Sequence, residues 1–201
     1  MTTVGKTAGK TVGKLIIAGW LGAALVISTP AIADQPSSTE ANQTLVTLLK
    51  QAIEQSDSFE DKFDAEVWLF SKSSQLERYI PDNEERLNLL RKIHHAATRA
   101  GLSPEVVLAV IQIESRFDHY ALSYAGAQGL MQVMPFWKKE IGHPEDNLID
   151  VDTNLRYGCT ILKYYLDKEK GNLTPALARY NGSYGKTWYP EKVLVAWEYW
   201  R

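Results

Sequence analysis

Apolar residues recur every three or four positions through most of the chain, and this spacing is the strongest constraint on its fold. Leu45, Leu48, Leu49 and Ile53 are the first such set. No run alternates convincingly between apolar and polar residues, as a half-buried strand would. We therefore predict an all-α protein, or at most a mainly helical α+β protein, with a small hairpin near residues 115–127 as the open alternative.

Capping residues and helix breakers divide this pattern into separate helices. Asp82 with Glu85 three residues later approximates a capping box, and Ser103-Pro104-Glu105 is typical of a helix start. The predicted helices cover 44–55, 64–80, 83–99, 103–114, 152–170 and 190–200, with a short one ending near Ile141 and another starting at Thr174-Pro175. The polar stretch 35–43 predicts a flexible leader before the first helix.

The first 33 residues have the pattern of a secretory signal peptide. Three lysines precede an apolar stretch, and Ala31-Ile32-Ala33 supplies the small residues of a cleavage site. The apolar stretch from Leu15 to Ser28 is shorter than the roughly 20 residues that span a bilayer comfortably, and Pro30 follows it, so an uncleaved anchor is the less favoured alternative. We expect secretion across the inner membrane and a periplasmic location.

Charge and cysteine content exclude several classes of function. The formal net charge is −2, and removal of Lys6, Lys10 and Lys14 with the signal peptide leaves about −5. An acidic exported protein without a basic run is not expected to bind nucleic acid or to adhere electrostatically to anionic lipid. Cys159 is the only cysteine, so no internal disulfide can form, and its helical setting favours a buried thiol over an intermolecular disulfide. The spacing of the four histidines is not that of a metal site, so neither a metal nor a cofactor is expected.

Glu114 is the most informative single residue, because it lies on the face of a predicted amphipathic helix that carries the apolar residues. Val110 and Glu114 are four residues apart, so their side chains lie on neighbouring turns of one face. Desolvation there would raise the pKa of the carboxyl group and make it a candidate general acid. The alternative is an ordinary surface glutamate, which Glu114 alone would favour because glutamate is rarely buried unpaired.

Three motifs favour the general acid over the surface glutamate as the interpretation of Glu114. Glu114-Ser115, the stretch Ser123–Pro135 containing Gly-Leu-Met-Gln, and Tyr180-Asn181 occur in this order. Together they resemble the soluble lytic transglycosylases, a family that is similar to goose-type lysozyme in fold and cleaves the glycan strands of peptidoglycan. The resemblance covers about residues 101–201. It implies a lysozyme-like catalytic domain over 101–201, with an N-terminal helical extension over 34–100.

The resemblance also implies a set of site residues. It implies catalytic roles for Glu114, Ser123 and Tyr180, and substrate-binding roles for Gln132, Met134, Asn181 and Gly129. In this interpretation the Ser123 hydroxyl donates to the sugar, and the Tyr180 hydroxyl holds Glu114 or the developing charge. Without the motifs, a turn residue and a core aromatic would explain these two positions equally well. Four aromatic residues are further candidates for contact with sugar: Tyr164, Tyr165, Trp188 and Tyr189.

The reaction implied by the resemblance cleaves the MurNAc-GlcNAc β-1,4 bond and leaves a 1,6-anhydromuramoyl end, with Glu114 acting first as acid and then as base. Peptidoglycan strands are then the partner, with peripheral association with the cell envelope as a further possibility. A hydrolytic muramidase that uses Asp118 as a second carboxylate is the closest alternative. A non-catalytic peptidoglycan-binding or scaffold protein is the alternative from another class. Arg179 stands where the family often has alanine, and its side chain would point to solvent or reach the stem peptide.

Overall fold

Eight α-helices form the regular secondary structure of residues 38–55, 57–59 and 61–201, which are the residues described in this computed structural model. They are α1 (Ser38–Glu54), α2 (Lys62–Leu76), α3 (Asn83–Arg99), α4 (Pro104–Glu114), α5 (Trp137–Ile141), α6 (Val151–Lys168), α7 (Leu173–Tyr180) and α8 (Trp188–Trp200). Within those ranges no β-strand forms, and two isolated antiparallel bridges join Leu122 to Gln128 and Gln128 to Val133. The all-α prediction is confirmed.

Helix α4 is the centre of the fold. All six residues from Val106 to Ile111 are buried, and five of them have no exposed surface. A helix that is apolar all round must be enclosed by others, and α4 packs against α3 and most extensively against α8. The prediction of an amphipathic α4 is therefore wrong for most of its length, because no face of this segment meets solvent. This packing positions Glu114, the last residue of α4.

Helix α2 joins the N-terminal helices to both α4 and α8. Trp68 on α2 donates its indole N–H to Glu105 Oε1 at 2.7 Å, at the start of α4. Lys72 on α2 is only 5% exposed, and its ammonium group binds the backbone carbonyl of Trp200 at the end of α8. Trp200 in turn donates its indole N–H to Gln112 Oε1 at 2.7 Å. Buried polar groups with defined partners fix one arrangement of these helices.

Most helix boundaries agree with the sequence prediction to within two residues, but α2 ends at Leu76 rather than at residue 80, and α1 begins well before its predicted start. Helix α3 has the predicted bounds, and Asp82 caps it by accepting from the Glu85 N–H at 2.8 Å. Helix α1 begins at Ser38 rather than residue 44, so the predicted flexible leader is wrong from that residue onward. Helix α8 begins two residues before Pro190, since proline is tolerated in a first turn where N–H groups have no helical partner.

The predicted signal peptide, residues 1–33, lies outside the described residues. In the part of the chain that the structure describes, no helix combines the length and apolar character needed to cross a membrane.

Candidate active site

Glu114 lies at the C-terminal end of α4, where the helix emerges from the core. Its Oε1 accepts a hydrogen bond of 2.6 Å from the Tyr189 hydroxyl, near the start of α8. No described side chain donates to the other carboxyl oxygen, Oε2. The glutamate is thus anchored through one oxygen, and the second oxygen is available to a ligand.

Burial raises the pKa of Glu114 to about 7, and the hydrogen bond from Tyr189 opposes this only in part. Desolvation disfavours the charged carboxylate, whereas a donor to the carboxylate favours it. The pKa of Tyr189 is raised well above its usual value by burial, the charge of Glu114, Tyr180 and the hydrogen bond to Glu114. Tyr189 therefore keeps its proton and remains a donor. A carboxyl group with a pKa near neutrality can both give and take a proton at physiological pH.

The turn after Glu114 is held in an unusual backbone conformation. Arg116 and Phe117 have positive φ angles of 54° and 69°, which is uncommon for residues other than glycine and costs free energy. The Phe117 ring is 6% exposed and packs with centroid distances of 5.0 Å to Tyr79 and 5.5 Å to Trp200. This packing stabilises the turn. Ser115 closes the helix, because its backbone N–H binds the Ile111 carbonyl at 3.0 Å.

The Gly-Leu-Met-Gln loop is fastened to α6 by Asn154. This side chain is 1% exposed. Its Nδ2 donates to the carbonyls of Gln128 and Leu148 at 2.8 and 2.7 Å, and its Oδ1 accepts from the Met131 N–H at 2.8 Å. One buried amide thus satisfies two backbone groups of the irregular loop and a third, the Leu148 carbonyl, in the segment before α6, all of which would otherwise be costly to bury.

Gly129 lies against this same amide. Its φ is +73°, and a Cβ at this position would lie 2.4 Å from Asn154 Nδ2 and 2.6 Å from the Leu148 carbonyl oxygen. Any side chain would therefore displace the group that fastens the loop. The structure gives Gly129 this packing role, whereas the resemblance implied contact with substrate.

Tyr180, the last residue of α7, donates its hydroxyl to the Met131 carbonyl at 2.7 Å rather than to Glu114. The pKa of Tyr180 is raised well above its usual value by burial, by the charge of Glu114 and by Cys159, and no described hydrogen bond joins its hydroxyl to Glu114. The direct partner of Glu114 is Tyr189, which the sequence suggested only as a possible aromatic contact for sugar. Tyr189 is 2% exposed, so its face is covered.

Four predicted site residues remain: Ser123, Gln132, Met134 and Asn181. Gln132 has a positive φ of 49°, and its Nε2 donates to the carbonyls of Ala121 and Gly129, at 3.0 Å in each case. The Ser123 hydroxyl accepts from the Ala127 N–H at 2.9 Å, while its own proton stays free to donate. Met134 and Asn181 are partly buried, and Asn181 caps the C-terminus of α7. No described hydrogen bond joins these four residues to Glu114.

Asp118 and Arg179, whose roles the sequence left undecided, each contact other groups of this chain. Asp118 is exposed, and its Oδ1 accepts from the Tyr120 N–H at 2.9 Å, which closes a turn. Arg179 forms an ion pair with Glu169, and its guanidinium carbon lies 3.7 Å from the centroid of the Tyr184 ring. Arg179 is therefore held by its own chain. Cys159 is a free thiol, 1% exposed, and burial raises its pKa to about 12.

The contacts made by Asn154 and Tyr189 were not predicted, and only that of Asn154 left a signal in the sequence. Asn154 is a polar residue on a helix face otherwise formed by Leu155, Tyr157 and Ile161, which could have marked it as a buried polar contact. Tyr189 left none, because its hydroxyl reaches Glu114 from 75 positions away. In the described part of the chain, no group of three or more His, Cys, Asp or Glu residues is placed to hold a metal ion.

Two transglycosylases are among the known proteins whose sequences are similar to this chain. Membrane-bound lytic murein transglycosylase C of Histophilus somni strain 2336 is 35% identical over 107 residues, which is 45% of this chain and 26% of that protein. A transglycosylase of Enterobacteria phage PRD1 is 33% identical over 105 residues, 49% of this chain and 39% of that protein. The chain thus matches well under half the length of these relatives.

A solved structure of an inactive mutant of the lytic transglycosylase Slt from Pseudomonas aeruginosa aligns with 81% of this chain and 29% of that chain, with 21% sequence identity and a TM-score of 0.43. The family model of the transglycosylase SLT domain matches residues 91–192. This match includes Glu114, the Gly-Leu-Met-Gln loop, Tyr180 and Tyr189. Since it spans half of the chain, the chain belongs to the transglycosylase SLT family.

Proposed function

We propose that the chain is a peptidoglycan lytic transglycosylase, exported to the periplasm, that cleaves the MurNAc-GlcNAc β-1,4 bond. The observation that carries this proposal is Glu114, a buried carboxyl group with a pKa raised to about 7 and one oxygen fixed by Tyr189. The relatives include a lytic murein transglycosylase and a phage transglycosylase, and their names support the same class of reaction. Residues 101–201 are the catalytic part and 34–100 the helical extension.

In the first step Glu114 acts as a general acid. Its proton passes from the carboxyl group to the glycosidic oxygen, the bond from that oxygen to the muramoyl anomeric carbon breaks, and the GlcNAc side leaves with a free hydroxyl. Positive charge develops on the muramoyl ring, which resembles an oxocarbenium ion. A pKa of about 7 leaves a large fraction of Glu114 protonated at neutral pH, so the acid is present when substrate binds.

In the second step the same residue acts as a general base. The muramoyl 6-hydroxyl attacks the anomeric carbon of its own ring, and the Glu114 carboxylate takes the hydroxyl proton. This restores the acid and leaves a 1,6-anhydromuramoyl end without consuming water. Intramolecular attack has a high effective molarity, so the protein mainly has to orient the sugar and exclude water.

The neighbouring residues position Glu114 and the glycan. Tyr189 holds Oε1, which directs Oε2 toward the scissile bond. Tyr180 acts through the loop by holding the Met131 carbonyl. Ser123, Gln132, Met134 and Asn181 contribute polar and apolar contacts to the sugar, with Gly129 allowing the loop to pack. The exposed faces of Tyr164 and Trp188 are suited to stacking on pyranose rings.

Hydrolysis by a second carboxylate is the less supported alternative. It needs a carboxylate that faces the same sugar. Asp118 is exposed and its Oδ1 is occupied by the Tyr120 N–H. Burial and Tyr189 alone account for the shifted pKa of Glu114, with no contribution from another carboxylate.

Mass spectrometry of digested peptidoglycan tests this function. We expect the purified chain to release muropeptides with anhydro ends, each one water lighter than its hydrolytic counterpart. Muropeptides with ordinary reducing ends would instead identify a muramidase. Binding to the cell wall without release of any fragment would identify a non-catalytic peptidoglycan-binding protein.

A further inference from the structure

A pocket of about 720 Å³ lies between α3 and α6, and the segment between α1 and α2 completes its lining. Neither Glu114 nor any other candidate site residue belongs to its described lining. The volume is in the range of sites for small ligands, so the pocket holds a short segment rather than a folded surface. We call it the α3–α6 pocket, and its ionisable side chains on the two helices are those of Arg91, Lys92, His95, Arg99, Asp152 and Arg156.

The α3–α6 pocket is positively charged, although the protein as a whole is acidic. Its described lining carries four cationic side chains and two carboxylates. Both carboxylates already have partners: Asp152 forms an ion pair with Lys92 across the pocket, and Asp57 lies 3.1 Å from His95 Nδ1. A positive pocket on an acidic protein favours a negatively charged ligand.

Two arginines of the lining have no partner for their side chains among the described residues. Lys92 and Arg156 bind Asp152 and Asp146, whereas no described ion pair or hydrogen bond involves the guanidinium group of Arg91 or Arg99. Arg91 Nε is buried, and no described group accepts its proton. A buried donor without an acceptor carries a desolvation cost, which an anionic acceptor would remove.

The spacing of the two arginines indicates the shape of the ligand. Arg91 and Arg99 are eight positions apart on α3, which is roughly 12 Å along the axis at the helical rise per residue. A small anion can therefore meet only one of them. In an extended peptide, side chains four positions apart point to the same side and are about 13 Å apart. The two arginines thus match two acidic side chains at that spacing.

We propose that the α3–α6 pocket binds an extended acidic segment of a partner protein, whose two carboxylates, four residues apart, pair with Arg91 and Arg99. A guanidinium group holds a carboxylate through two parallel N–H···O bonds, and such charge-assisted bonds are strong. The lining also contains Ala96, Ala100 and Leu155, which offer apolar surface to the small side chains between the acids. Because Glu114 does not line the pocket, this contact is separate from cleavage and does not depend on the function proposed above.

Fluorescence anisotropy with two labelled pentapeptides, blocked at both ends, tests this proposal on the intact protein. The first peptide, Glu-Ala-Ser-Ala-Glu, has its acids four positions apart. The second, Ala-Glu-Ser-Glu-Ala, has the same composition and net charge with the acids two positions apart. The test variants are Arg91→Gln and Arg99→Gln. Arg99 is exposed, so its replacement leaves the fold intact. The control is Arg78→Gln, which removes an exposed arginine outside the pocket.

We expect each test variant to bind the first peptide about tenfold more weakly than the wild type, as the loss of charge-assisted hydrogen bonds predicts. Arg78→Gln should bind it as the wild type does, and the second peptide should bind the wild type about fivefold more weakly than the first. Release of muropeptides by both test variants should keep the wild-type rate.

Four results would overturn the proposal. Equal binding of the two peptides, or displacement of the first by inorganic phosphate at equal concentration, would show that the pocket attracts any anion. Unchanged binding by Arg99→Gln would exclude the paired arginines. Loss of cleavage in both test variants would assign the pocket to the substrate. The binding measurements stand by themselves if the wild-type chain releases no anhydro products, so failure of the proposed function is seen separately.

Discussion

Replacing Glu114 by Gln is expected to lower kcat for peptidoglycan cleavage by about 10³-fold, within the range that a general acid or base contributes. Glutamine keeps the size of the side chain and can still accept from Tyr189, but its amide N–H groups are far too weakly acidic to protonate the leaving oxygen. Release of soluble muropeptides over time is the measurement. The control is Glu145→Gln, an exposed residue that should retain wild-type activity. Wild-type rates in Glu114→Gln would exclude Glu114 as the acid.

The same variant, although it loses activity, is expected to be more stable than the wild type at alkaline pH. The pKa of Glu114 is raised in the folded state from 4.5 to about 7, so the stability that the protonated carboxyl group provides is complete below pH 4.5 and is lost as the pH rises toward about 7. Glutamine has no such loss. At pH 8 the free energy of unfolding of Glu114→Gln should exceed that of the wild type by about 3 kcal/mol, and the two should converge near pH 4. Denaturant unfolding at both pH values measures this difference.

The pH dependence of cleavage is the second large effect. Because the first step needs the protonated form of Glu114, kcat/KM should fall about tenfold per pH unit above the pKa of about 7. Tyr189→Phe removes a donor that lowers this pKa, so its alkaline limb should begin at a higher pH. The loss of orientation should also reduce kcat.

A matched variant makes this test specific. Tyr184→Phe removes the hydroxyl of an exposed tyrosine on the loop before α8 and should leave the profile unchanged. A profile with no break between pH 6 and 8.5 would contradict the assignment of Glu114. A break that Tyr189→Phe does not move would contradict the role of Tyr189.

The local rules of helix formation were enough to predict most of the fold. Asp82 and Ser103 cap their helices as predicted, with Pro104 in the first turn of α4. These features depend on residues close together in the sequence. The early start of α1 was not predicted, because the polar run before residue 44 lacks apolar periodicity. The complete burial of α4 depends on which helices surround it, and periodicity carries no such information.

The candidate site was predicted in part. Glu114 was identified because a carboxylate follows an apolar stretch and because the motifs accompany it. The donor that holds it is Tyr189 rather than Tyr180, since the packing of α4 against α8 brings Tyr189 to its carboxyl group. Asn154 was missed for the same reason, as its three backbone partners come from a loop about 25 residues earlier and from Leu148. Contacts between distant segments follow from packing, which a single sequence does not reveal.

The central claim is that Glu114 works without a second carboxylate, with the substrate's own hydroxyl in place of water. Digestion of peptidoglycan in heavy-oxygen water tests it most directly. The wild type and Asp118→Asn should both produce anhydro ends that carry no heavy oxygen, at similar rates, because the new bond is made by the sugar. One heavy oxygen at each new reducing end, or loss of cleavage in Asp118→Asn, would contradict the claim.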